Sequence, residues 1–417
     1  MNRPVSPPAD FCYPPGTISV DQALAFMLAR ARAPHATHES TLDDAIGGVL
    51  AADLCSPIDV PGYDNSQMDG YALRAGDVAG EGVLLPVSQR IVAGCVGVPL
   101  APASAARIFT GAPLPPGADT VVAQERCRVD GERVWIPGPV HAGEDVRPRG
   151  NDIRAGQVVI EGGERLRPQH LGLAASLGLG TLSLFMRPTV AFFSCGDELR
   201  LPGERLGPGQ IYNSNRFVLR ALIERVGARA LDLGRVADTL DATVAVLERA
   251  GREADVVVST GGVSVGEEDH VKRALEQVGE LELWRIAVRP GKPLAYGRVG
   301  DADFIGLPGN PVSALVTFCL FVRPFLLARS GARRVQAEYW PVRAAFDWPR
   351  PAQRREFARV RLQRSATGLP EAVAHPRQGS DVLSSTTWAD GLVEIPEGVT
   401  VRRGEVLRYL DFDALLA

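Results

Sequence analysis

Between Thr189 and about Ser330 the chain alternates short apolar runs with segments of helical spacing, and this alternation limits the possible folds most strongly. Val190 to Phe193 and Ala254 to Val258 are compact runs typical of buried strands. Helical spacing follows at Asn215 to Val226 and at Glu267 to Val278. Strands alternating with helices over ~140 residues predict a doubly wound α/β domain with a mostly parallel sheet. Ligands bind such sheets at the carboxyl ends of the strands.

The same region continues with shorter elements. Further strands are predicted at Leu281 to Val288, Leu294 to Tyr296 and Phe304 to Leu307. A last long helix is predicted from Pro311 to Leu327, with Asn310 at its N-cap. Proline suits the first helical position because its missing N–H has no partner there anyway.

The first half of the chain has a different pattern of predicted elements, with helical segments on either side of a β-prone region. Ser19 followed by Gln22 forms a capping-box pattern and predicts a helix from about Val20. Leu42 to Leu54 is also predicted to be helical. From Pro57 to Pro139, short β-prone runs separated by Gly and Pro indicate an all-β unit. Helical texture returns at Gln169 to Leu177, so the β unit is predicted to be an insertion.

After Arg329 the chain again shows short strand patterns, including Phe357 to Leu362, Leu392 to Ile395 and Val406 to Leu410. The predicted fold class is therefore multidomain, α/β plus β. The predicted domains are a discontinuous N-terminal helical or linker domain (1–56 and 140–185), an inserted β-rich domain (57–139), the α/β domain (186–331) and a C-terminal β domain (332–417).

Composition narrows the class of protein. The 45 basic and 49 acidic residues nearly balance, which argues against a nucleic-acid-binding surface made by net charge. The uncharged stretch Leu171 to Met186 is shorter than the ~20 apolar residues of a membrane-spanning helix. The six cysteines are dispersed without a CxxC pair, and the N-terminus has no apolar signal region. We expect a cytoplasmic protein in a reducing compartment, with no nucleic-acid or membrane partner.

The most distinctive loop runs from Ser259 to Asp269 and leaves the end of a Val-rich strand. Its small residues allow backbone N–H groups to approach a phosphate or a polar heterocycle, which makes Ser259, Gly261, Gly262 and Ser264 candidate binding positions. No Gly-Lys-Ser follows and the G-x-G-x-x-G spacing is absent, which excludes a Walker loop and a dinucleotide fingerprint. The alternative is a strand-to-helix turn whose glycines only permit the backbone path.

Carboxylates follow two of the predicted strands. Asp197 and Glu198 come after the first strand, and Asp269 lies beyond the Val-rich one. Hard oxygen ligands of this kind suit Mg²⁺, which takes one or two carboxylates together with substrate phosphate oxygens. The alternative is that each carboxylate only caps a helix N-terminus.

Lys292 is unusual because almost all Lys and Arg residues of the chain are arginine. Of the 45 Lys and Arg residues, only Lys272 and Lys292 are lysine. Lys292 lies between prolines in Arg289 to Pro293, which suggests a site that needs a compact ammonium group, although chance placement is the alternative. Nearby, Leu307 to Pro311 leads into the last helix, whose N-terminus is a second candidate anion site.

Polar turn-rich segments also occur in the first half of the chain, at Pro61 to Tyr71, Phe109 to Pro113 and Arg147 to Asp152. Physical chemistry alone predicts that each of these segments is an ordinary loop. The six histidines form no ligand pair, and no Ser–His–Asp triad follows from their spacing.

Six phrases of the chain together resemble the molybdopterin molybdenumtransferase family, known as MoeA in bacteria and as the E domain of gephyrin. They occur in family order and span most of the chain. The phrases are Asp59 to Ser66 with Met68 to Tyr71, Thr110 to Pro113, Gly196 to Leu199, Ser259 to Gly266, Pro290 to Pro293 and Leu307 to Pro311.

The resemblance implies a four-part subunit with an α/β domain of the molybdopterin-binding type and a C-terminal β-barrel-like domain. It implies a head-to-tail homodimer whose active site lies between the α/β domain of one subunit and the β-rich part of the other. The implied reaction takes molybdate and adenylylated molybdopterin, inserts molybdenum at the dithiolene sulfurs and releases AMP, with Mg²⁺ as cofactor. A molybdopterin adenylyltransferase is the implied upstream partner.

The resemblance also implies roles for individual residues. The implied catalytic residues are Asp69, Thr110, Glu198, Asp238 and Asp269. The implied metal ligands are Glu198, Asp197 and Asp269. Positions implied to bind pterin, phosphate or molybdate, beyond those of the glycine-rich loop, are Asp152, Arg147, Arg285, Arg289, Lys292, Pro308, Asn310, Pro311, Arg359 and Ser380.

The chain departs from the family pattern at a few positions. Cys195 stands where Thr is common, Arg285 and Arg289 where Lys is common, and His270 where Tyr is frequent. Arginine replaces a point donor by a wide planar fork, so we expect a different geometry around a bound oxyanion. Two other functions are kept as alternatives: a nucleotide-pyrophosphate hydrolase using the same α/β domain, and a non-catalytic scaffold of the gephyrin kind.

Overall fold

The computed structural model describes residues 5, 13, 16–34, 36–262, 270–291, 293–365 and 368–416. The chain divides into two compact units. The large unit comprises Met1–Ala51, Gly163–Leu166 and Ser183–Ala417, and the small unit comprises Ala52–Gly162 and Arg167–Leu182. The predicted division into four domains is finer than these two units and stays a prediction.

The helices within the described ranges confirm most helical predictions. They are α1 (Val20–Leu28), α2 (Pro168–Ser176), α3 (Ser214–Arg225), α4 (Leu240–Glu253), α5 (His270–Val278), α6 (Pro311–Thr317), α7 (Arg323–Arg329), α8 (Ser384–Trp388) and α9 (Phe412–Leu416). A π-helical turn at Phe318–Val322 joins α6 to α7. The capping box predicted before α1 is present, with Ser19 and Gln22 bonding each other's backbone N–H groups.

The strands of the first half are β1 (Thr37–Thr41), β2 (Leu54–Cys55), β3 (Asn65–Ser66), β4 (Gly70–Leu73), β5 (Gly82–Ile91), β6 (Ala105–Ile108), β7 (Thr120–Ala123), β8 (Arg128–Asp130), β9 (Arg133–Pro137), β10 (Val146–Arg147), β11 (Val158–Ile160) and β12 (Thr181–Phe185). Those of the second half are β13 (Thr189–Cys195), β14 (Leu199–Arg200), β15 (Ile211–Tyr212), β16 (Arg229–Val236), β17 (Val256–Thr260), β18 (Gly279–Arg285), β19 (Val288–Arg289), β20 (Pro293–Val299), β21 (Ala302–Leu307), β22 (Trp340–Ala344), β23 (Arg355–Gln363), β24 (Glu371–Ala374), β25 (Gly391–Ile395) and β26 (Val406–Asp411).

The central sheet of the large unit has the strand order β16-β13-β17-β21-β20-β18. The first four strands pair in parallel, and β20 and β18 add antiparallel strands at one edge. This confirms the predicted doubly wound, mostly parallel α/β domain. The carboxyl ends of the four parallel strands consequently lie along the same edge of the sheet.

Alternate residues of β13 supply two apolar layers, one on each face of the sheet. Phe192 packs with α1, α3 and the helix that follows β21, whereas Phe193 packs with α4 and α5. Both phenylalanine side chains are fully buried. Burial on both faces explains why β13 and β17 are continuous apolar runs rather than alternating ones.

The C-terminal strands close on themselves. β23, β24, β22, β26 and β25 pair in that order, and β25 pairs again with β23. This closed five-stranded arrangement confirms the barrel-like C-terminal domain. β19 pairs in parallel with β23, which attaches the chain just before the Pro290 loop to the barrel.

The small unit contains a sheet of order β7-β4-β6-β5-β9-β8, confirming the β-rich character predicted for Pro57 to Pro139. β4 lies between β7 and β6 and is antiparallel to both. The segment before β4, the segment after β6 and the segment after β7 therefore meet at one edge.

One helix prediction is wrong, and several elements were not predicted. Leu42 to Leu54 forms turns and bridges instead of a helix. Gly47 has a positive φ of 72°, and Leu50 exchanges backbone hydrogen bonds with Gly163 and Glu164. Burial against another segment therefore overrides the local helical pattern. The edge strand β16 and helix α4 are among the elements that the sequence patterns missed.

The helix from Pro311 to Arg329 is long and apolar enough to cross a membrane by length and composition alone. However, 83% of its most apolar window is buried inside the protein. It is the central helix of the core on one face of the sheet, where Phe318, Phe321 and Phe325 are fully buried.

Candidate active site

Four strand ends open onto a cleft of about 750 Å³ in the large unit. β13, β16, β17 and β21 end there at Cys195, Val236, Thr260 and Leu307, as the parallel topology requires. The cleft is lined by Cys195, Gly196, Glu198, Leu199, Ile211, Asn215, Asp238, Thr260, Gly261, Gly262, Arg289, Pro290, Gly291, Pro308, Gly309, Asn310, Pro311, Ser313, Arg354, Gln378, Gly379, Ser380 and Asp381.

The glycine-rich loop depends on two of its glycines for its backbone path. Gly261 and Gly262 have φ values of 83° and 66°, in the left-handed region that favours glycine. A Cβ on Gly261 would lie 2.6 Å from the carbonyl oxygen of Cys195, and one on Gly262 would lie 2.7 Å from a methyl group of Val271. The loop therefore brings bare backbone into the cleft between two strand ends.

The N-terminus of α6 lies beside this loop, where a Cβ on Gly309 would be 3.6 Å from the Cα of Gly261. Asn310 is at the N-cap and Pro311 at the first helical position, as predicted. The Asn310 side chain does not cap its own helix; instead, its amide Nδ2 donates to Ser380 Oγ at 3.0 Å. The backbone N–H of Val312 donates to the carbonyl oxygen of Ser380 at 3.1 Å. The loop bearing Ser380 is thus fixed on this helix N-terminus.

Asn215 stabilises the same part of the cleft from α3. Its Nδ2 donates to the carbonyl oxygen of Gly309 at 2.7 Å, and the residue is only 8% exposed. Its Oδ1 is buried and accepts no hydrogen bond from the described residues. Sequence reasoning placed Asn215 at the start of a helix but did not identify it as a residue of the site.

Three arginines concentrate positive charge at one end of the cleft. The Arg289 guanidinium contacts the carboxylate of Glu356, with a distance of 2.6 Å from Nη1 to Oε1. Burial, followed by the charge of Arg289, lowers the pKa of Arg354. The same two causes lower the pKa of Arg359 to about 10. This mutual repulsion favours a bound anion.

Arg359 is only 1% exposed, and hydrogen bonds hold its guanidinium in place. Its Nε donates to Ser385 Oγ at 3.0 Å, and Nη2 donates to the carbonyl oxygen of Gly379 at 2.9 Å. It lines a small cavity of about 70 Å³ that shares Arg289, Pro290 and Gln378 with the cleft. A buried guanidinium presented to a small cavity is suited to a compact oxyanion.

Two of the predicted acidic residues, Glu198 and Asp238, line the cleft. The Glu198 carboxylate folds back over Gly196, whose missing Cβ makes room for it. Asp197 is not among the residues that line the cleft. It is exposed and lies 3.5 Å from Arg235, so the structure places it away from the predicted metal site.

No three His, Cys, Asp or Glu side chains of the described ranges form a group that would hold a metal ion unaided. This does not conflict with the donor set that Mg²⁺ uses, because Mg²⁺ commonly takes one or two protein carboxylates and completes its shell with water and phosphate oxygens. Glu198 and Asp238 supply such a pair at the cleft.

Several predicted site residues lie elsewhere. Ser259 is fully buried on β17 and is not among the cleft-lining residues, because side chains alternate along a strand and its neighbour Thr260 faces the cleft instead. Arg285 is exposed and also outside the cleft lining. Ser264, Asp269 and Lys292 lie outside the described residues.

Sequence reasoning also missed cleft residues near the barrel: Arg354, Gln378, Gly379 and Asp381. The only local signal at that position was the pair of arginines at the start of β23. Gln378 accepts the backbone N–H of Arg359 at 3.0 Å and thereby helps to shape the cleft wall.

In the small unit, two predicted residues are in direct contact. Asp69 Oδ1 accepts the backbone N–H of Thr110 at 2.8 Å and its hydroxyl at 2.7 Å. These two hydrogen bonds, with a smaller contribution from the charge of Arg107, lower the pKa of the Asp69 carboxyl. Thr110 therefore holds the ionised carboxylate of Asp69 in one orientation at the edge of the sheet.

The polar segments of the small unit that resembled ordinary loops are joined to one another. Arg147 on β10 pairs with Asn65 on β3, and Gly111 donates its backbone N–H to the carbonyl oxygen of Ser66 at 2.9 Å. The backbone N–H of Asp152 donates to the carbonyl oxygen of Val60 at 3.0 Å. Arg147 and Asp152 are both exposed.

Comparison with known families assigns consecutive parts of the chain. Residues 18–178 match "MoeA N-terminal region (domain I and II)", and residues 191–328 match "Probable molybdopterin binding domain". Residues 341–412 match "MoeA C-terminal region (domain IV)".

Curated relatives match over nearly the whole chain. A molybdopterin molybdenumtransferase of Haemophilus influenzae is 36% identical over 406 residues, which cover 96% of this chain and all of the relative. A molybdopterin molybdenumtransferase 2 of Mycobacterium tuberculosis is 37% identical over 385 residues, which cover 89% of this chain and 94% of the relative.

Solved structures agree. The structure is similar to the molybdopterin biosynthesis moeA protein of Pyrococcus horikoshii, with a TM-score of 0.79 and 32% identity over 95% of this chain and 99% of the other. A second structure of the protein from that organism gives a TM-score of 0.83 at 27% identity, covering 95% of this chain and all of the other. The chain therefore belongs to the MoeA family of molybdopterin molybdenumtransferases.

Proposed function

We propose that this protein is a transferase of molybdenum cofactor biosynthesis that inserts molybdenum from molybdate into adenylylated molybdopterin and releases AMP. The observation that carries the proposal is the cleft, where four parallel strand ends, a glycine-rich loop and an arginine cluster converge in a chain of this family. Such a cleft has backbone donors for a pterin and phosphates and cations for an oxyanion.

The chain's own residues divide the work of binding. Backbone around Gly261 and Gly262 lies against the pterin and phosphate groups, since no side chain obstructs the approach there. The N-terminus of α6, which begins at Pro311, adds a second partial positive charge for phosphate oxygens. Both elements orient the substrate by groups that need no rearrangement when it binds.

Molybdate binds, in this proposal, where the cleft lined by Arg289 and Arg354 adjoins the small cavity lined by Arg359. Their repulsion is relieved by an oxyanion, and the planar guanidinium groups give paired hydrogen bonds to its oxygens. Ser380 lies at the adjacent wall and is fixed there by Asn310. This arrangement places the oxyanion beside the pterin-binding loops.

We also propose that Mg²⁺ serves the reaction, held by Glu198 and Asp238. When bound, the ion would neutralise charge on the phosphate oxygens of the substrate and of the departing AMP. The supporting observation is that both carboxylates line the same cleft. Replacing Glu198 by Gln should raise the Mg²⁺ concentration needed for half-maximal activity.

In this proposal the protein acts as a homodimer, and Asp69 of one subunit contributes to the active site formed with the cleft of the partner subunit. A molybdopterin adenylyltransferase is the proposed upstream enzyme that supplies the adenylylated substrate. We propose a cytoplasmic location for this protein, because its cysteines within the described ranges form no disulfide bond, as expected in a reducing compartment.

The central test is release of AMP from adenylylated molybdopterin by the purified protein, with molybdate and Mg²⁺ each present or omitted. We expect AMP only when both are present. AMP release that is independent of molybdate would favour a nucleotide-pyrophosphate hydrolase instead. No AMP release under any condition, together with tight binding of a protein partner, would favour the scaffold alternative.

The dimer is tested by mixing two inactive variants, Asp69→Asn and Arg359→Met, after dissociation and reassociation. If the site is shared between subunits, heterodimers contain one intact site and the mixture recovers about a quarter of wild-type activity. If each site lies within one subunit, the mixture stays inactive. Asp69→Asn alone should keep the fold and the dimer, which size-exclusion chromatography and thermal unfolding would verify.

A further inference from the structure

Arg107 lies across three strands of the small unit, at the edge where Asp69 and Thr110 emerge. It is on β6, directly opposite Tyr71 on β4. Asp69 immediately precedes β4, and Thr110 follows the end of β6. Because these strands are antiparallel, one side chain on β6 can reach the segments that carry both residues.

Hydrogen bonds fix the Arg107 guanidinium to the Asp69 segment. Its Nη1 donates to the carbonyl oxygen of Gly70 at 2.9 Å, and Nη2 donates to Oε1 of Gln124, which follows β7. Gln124 in turn donates its backbone N–H to the carbonyl oxygen of Asp69 at 2.9 Å. Arg107 therefore holds the backbone on the C-terminal side of Asp69 directly and that of Asp69 itself through Gln124.

Aromatic contacts fix the same guanidinium to the Thr110 segment. It lies 4.6 Å from the ring centroid of Phe109, the residue before Thr110, and 5.2 Å from that of Tyr71. Cation–π attraction at these distances favours a guanidinium, which is planar and weakly hydrated, over an ammonium group. A lysine would offer a single nitrogen in place of the two guanidinium nitrogens that donate to Gly70 and Gln124.

Gly70 shows how little freedom this segment has. A Cβ at Gly70 would collide with the carbonyl oxygen of Val122 on β7, so the backbone beside Asp69 is packed directly against the next strand. The orientation of the Asp69 carboxylate is thus set by the strand edge, by Thr110 and by the cation beside it.

We propose that Arg107 is a positioning residue for the reaction: it holds Asp69 and Thr110 together without itself contacting substrate. This inference rests on the proposed function, in which Asp69 and Thr110 act on the bound substrate. It assigns Arg107 a role through the pair, so loss of Arg107 and loss of the Thr110 hydroxyl should damage the same interaction.

The test is a double-variant cycle on molybdate-dependent AMP release, with Arg107→Met, Thr110→Val and both together. Arg107→Met should lower kcat by about 10- to 100-fold, as expected for displaced catalytic groups, and leave KM within about threefold. The kcat of the combined variant should be within about threefold of the kcat of the less active single variant. If the two effects multiply instead, Arg107 does not act through this pair and the proposal is wrong.

Arg90 provides the matched control because its guanidinium also stacks on Phe109, at 4.9 Å. Arg90→Met should leave kcat within about twofold of wild type. A loss equal to that of Arg107→Met would show that stacking on the ring alone matters, which overturns the proposal. If Arg107→Met does not fold, Arg107→Lys takes its place in the cycle, and wild-type kcat in that variant would also overturn the proposal.

Failure of the proposed function gives a different result. In that case the wild-type protein itself releases no AMP in response to molybdate. An active wild type whose kcat is unaffected by Arg107→Met would leave the proposed function intact and remove only the role of Arg107.

Discussion

Asn310 and Ser380 are joined by a hydrogen bond of 3.0 Å from the side-chain amide to the hydroxyl, although 70 positions separate them in the chain. Asn310 begins the last helix of the α/β domain, whereas Ser380 belongs to the barrel segment between β24 and α8. Both residues line the cleft. The contact therefore fixes the N-terminus of α6 against the barrel loop that carries Ser380.

Removal of the Ser380 hydroxyl should weaken oxyanion binding without affecting the fold. We expect Ser380→Ala to raise the KM for molybdate about 3- to 10-fold, corresponding to the loss of one or two hydrogen bonds. Thr387→Ala is the control, because its exposed hydroxyl donates to Ser384 within α8 and is not part of the cleft lining. Equal KM values for both variants would contradict the role given to Ser380.

Two of the glycines that line the cleft, Gly261 and Gly309, should respond differently to alanine. Gly261→Ala requires a positive φ and places a Cβ 2.6 Å from the Cys195 carbonyl oxygen. We expect it to lower the free energy of unfolding by about 2 kcal/mol or more. At Gly309 the nearest atom to a Cβ would be 3.6 Å away, an ordinary contact.

Urea unfolding followed by circular dichroism measures both variants. Gly309→Ala should change the free energy of unfolding by less than about 1 kcal/mol. A Gly261→Ala protein as stable as Gly309→Ala would show that the loop has another low-energy conformation, and that the described backbone path is not required.

The Thr110 hydroxyl should stabilise the protein in a pH-dependent way. The Thr110 backbone N–H, and after it the hydroxyl, bond the ionised form of Asp69 and lower its folded-state pKa below the ordinary value of 3.8. The stabilisation by the hydroxyl is therefore fully present above the unfolded-state pKa and is lost as pH falls through the folded-state value. Thr110→Val should lower the Tm at pH 7 and at pH 5, and the difference should shrink towards pH 3.

The control for this pH dependence is Thr387→Val, whose hydroxyl donates to a carbonyl oxygen instead of a carboxylate. Its effect on Tm should be the same at each pH at which the protein unfolds cooperatively. A Thr110→Val difference that stays constant down to pH 3 would mean that the hydroxyl does not bind ionised Asp69 in solution.

Arg359→Met should separate activity from stability. Burial opposes the charge of Arg359, as its lowered pKa of about 10 reflects, so removing the charge relieves a desolvation cost while two hydrogen bonds are lost. We expect the free energy of unfolding to stay within about 1 kcal/mol of wild type. Molybdate-dependent AMP release should fall at least about 10-fold. A protein that is much less stable would indicate a mainly structural guanidinium.

Local sequence signals predicted the elements on which the site depends. The buried Val run before Ser259, the Asn-Pro pair at positions 310 and 311 and the capping box at Ser19 each act over a few residues, and each appears in the structure as predicted. Leu42 to Leu54 shows the limit of such signals, because its conformation is decided by pairing with Gly163 and Glu164.

The sequence by itself predicted a mostly parallel sheet whose strand ends share one edge, with glycine-rich and proline-bounded loops following those strands. Only the tertiary structure decided which side chains face the cleft. It selected Thr260 over Ser259, moved Asp197 towards Arg235 and brought Gln378 to Asp381 against the helix N-terminus. The physical reason is that strand periodicity and capping are local, whereas contacts between the barrel and the α/β domain depend on long-range packing that no short pattern encodes.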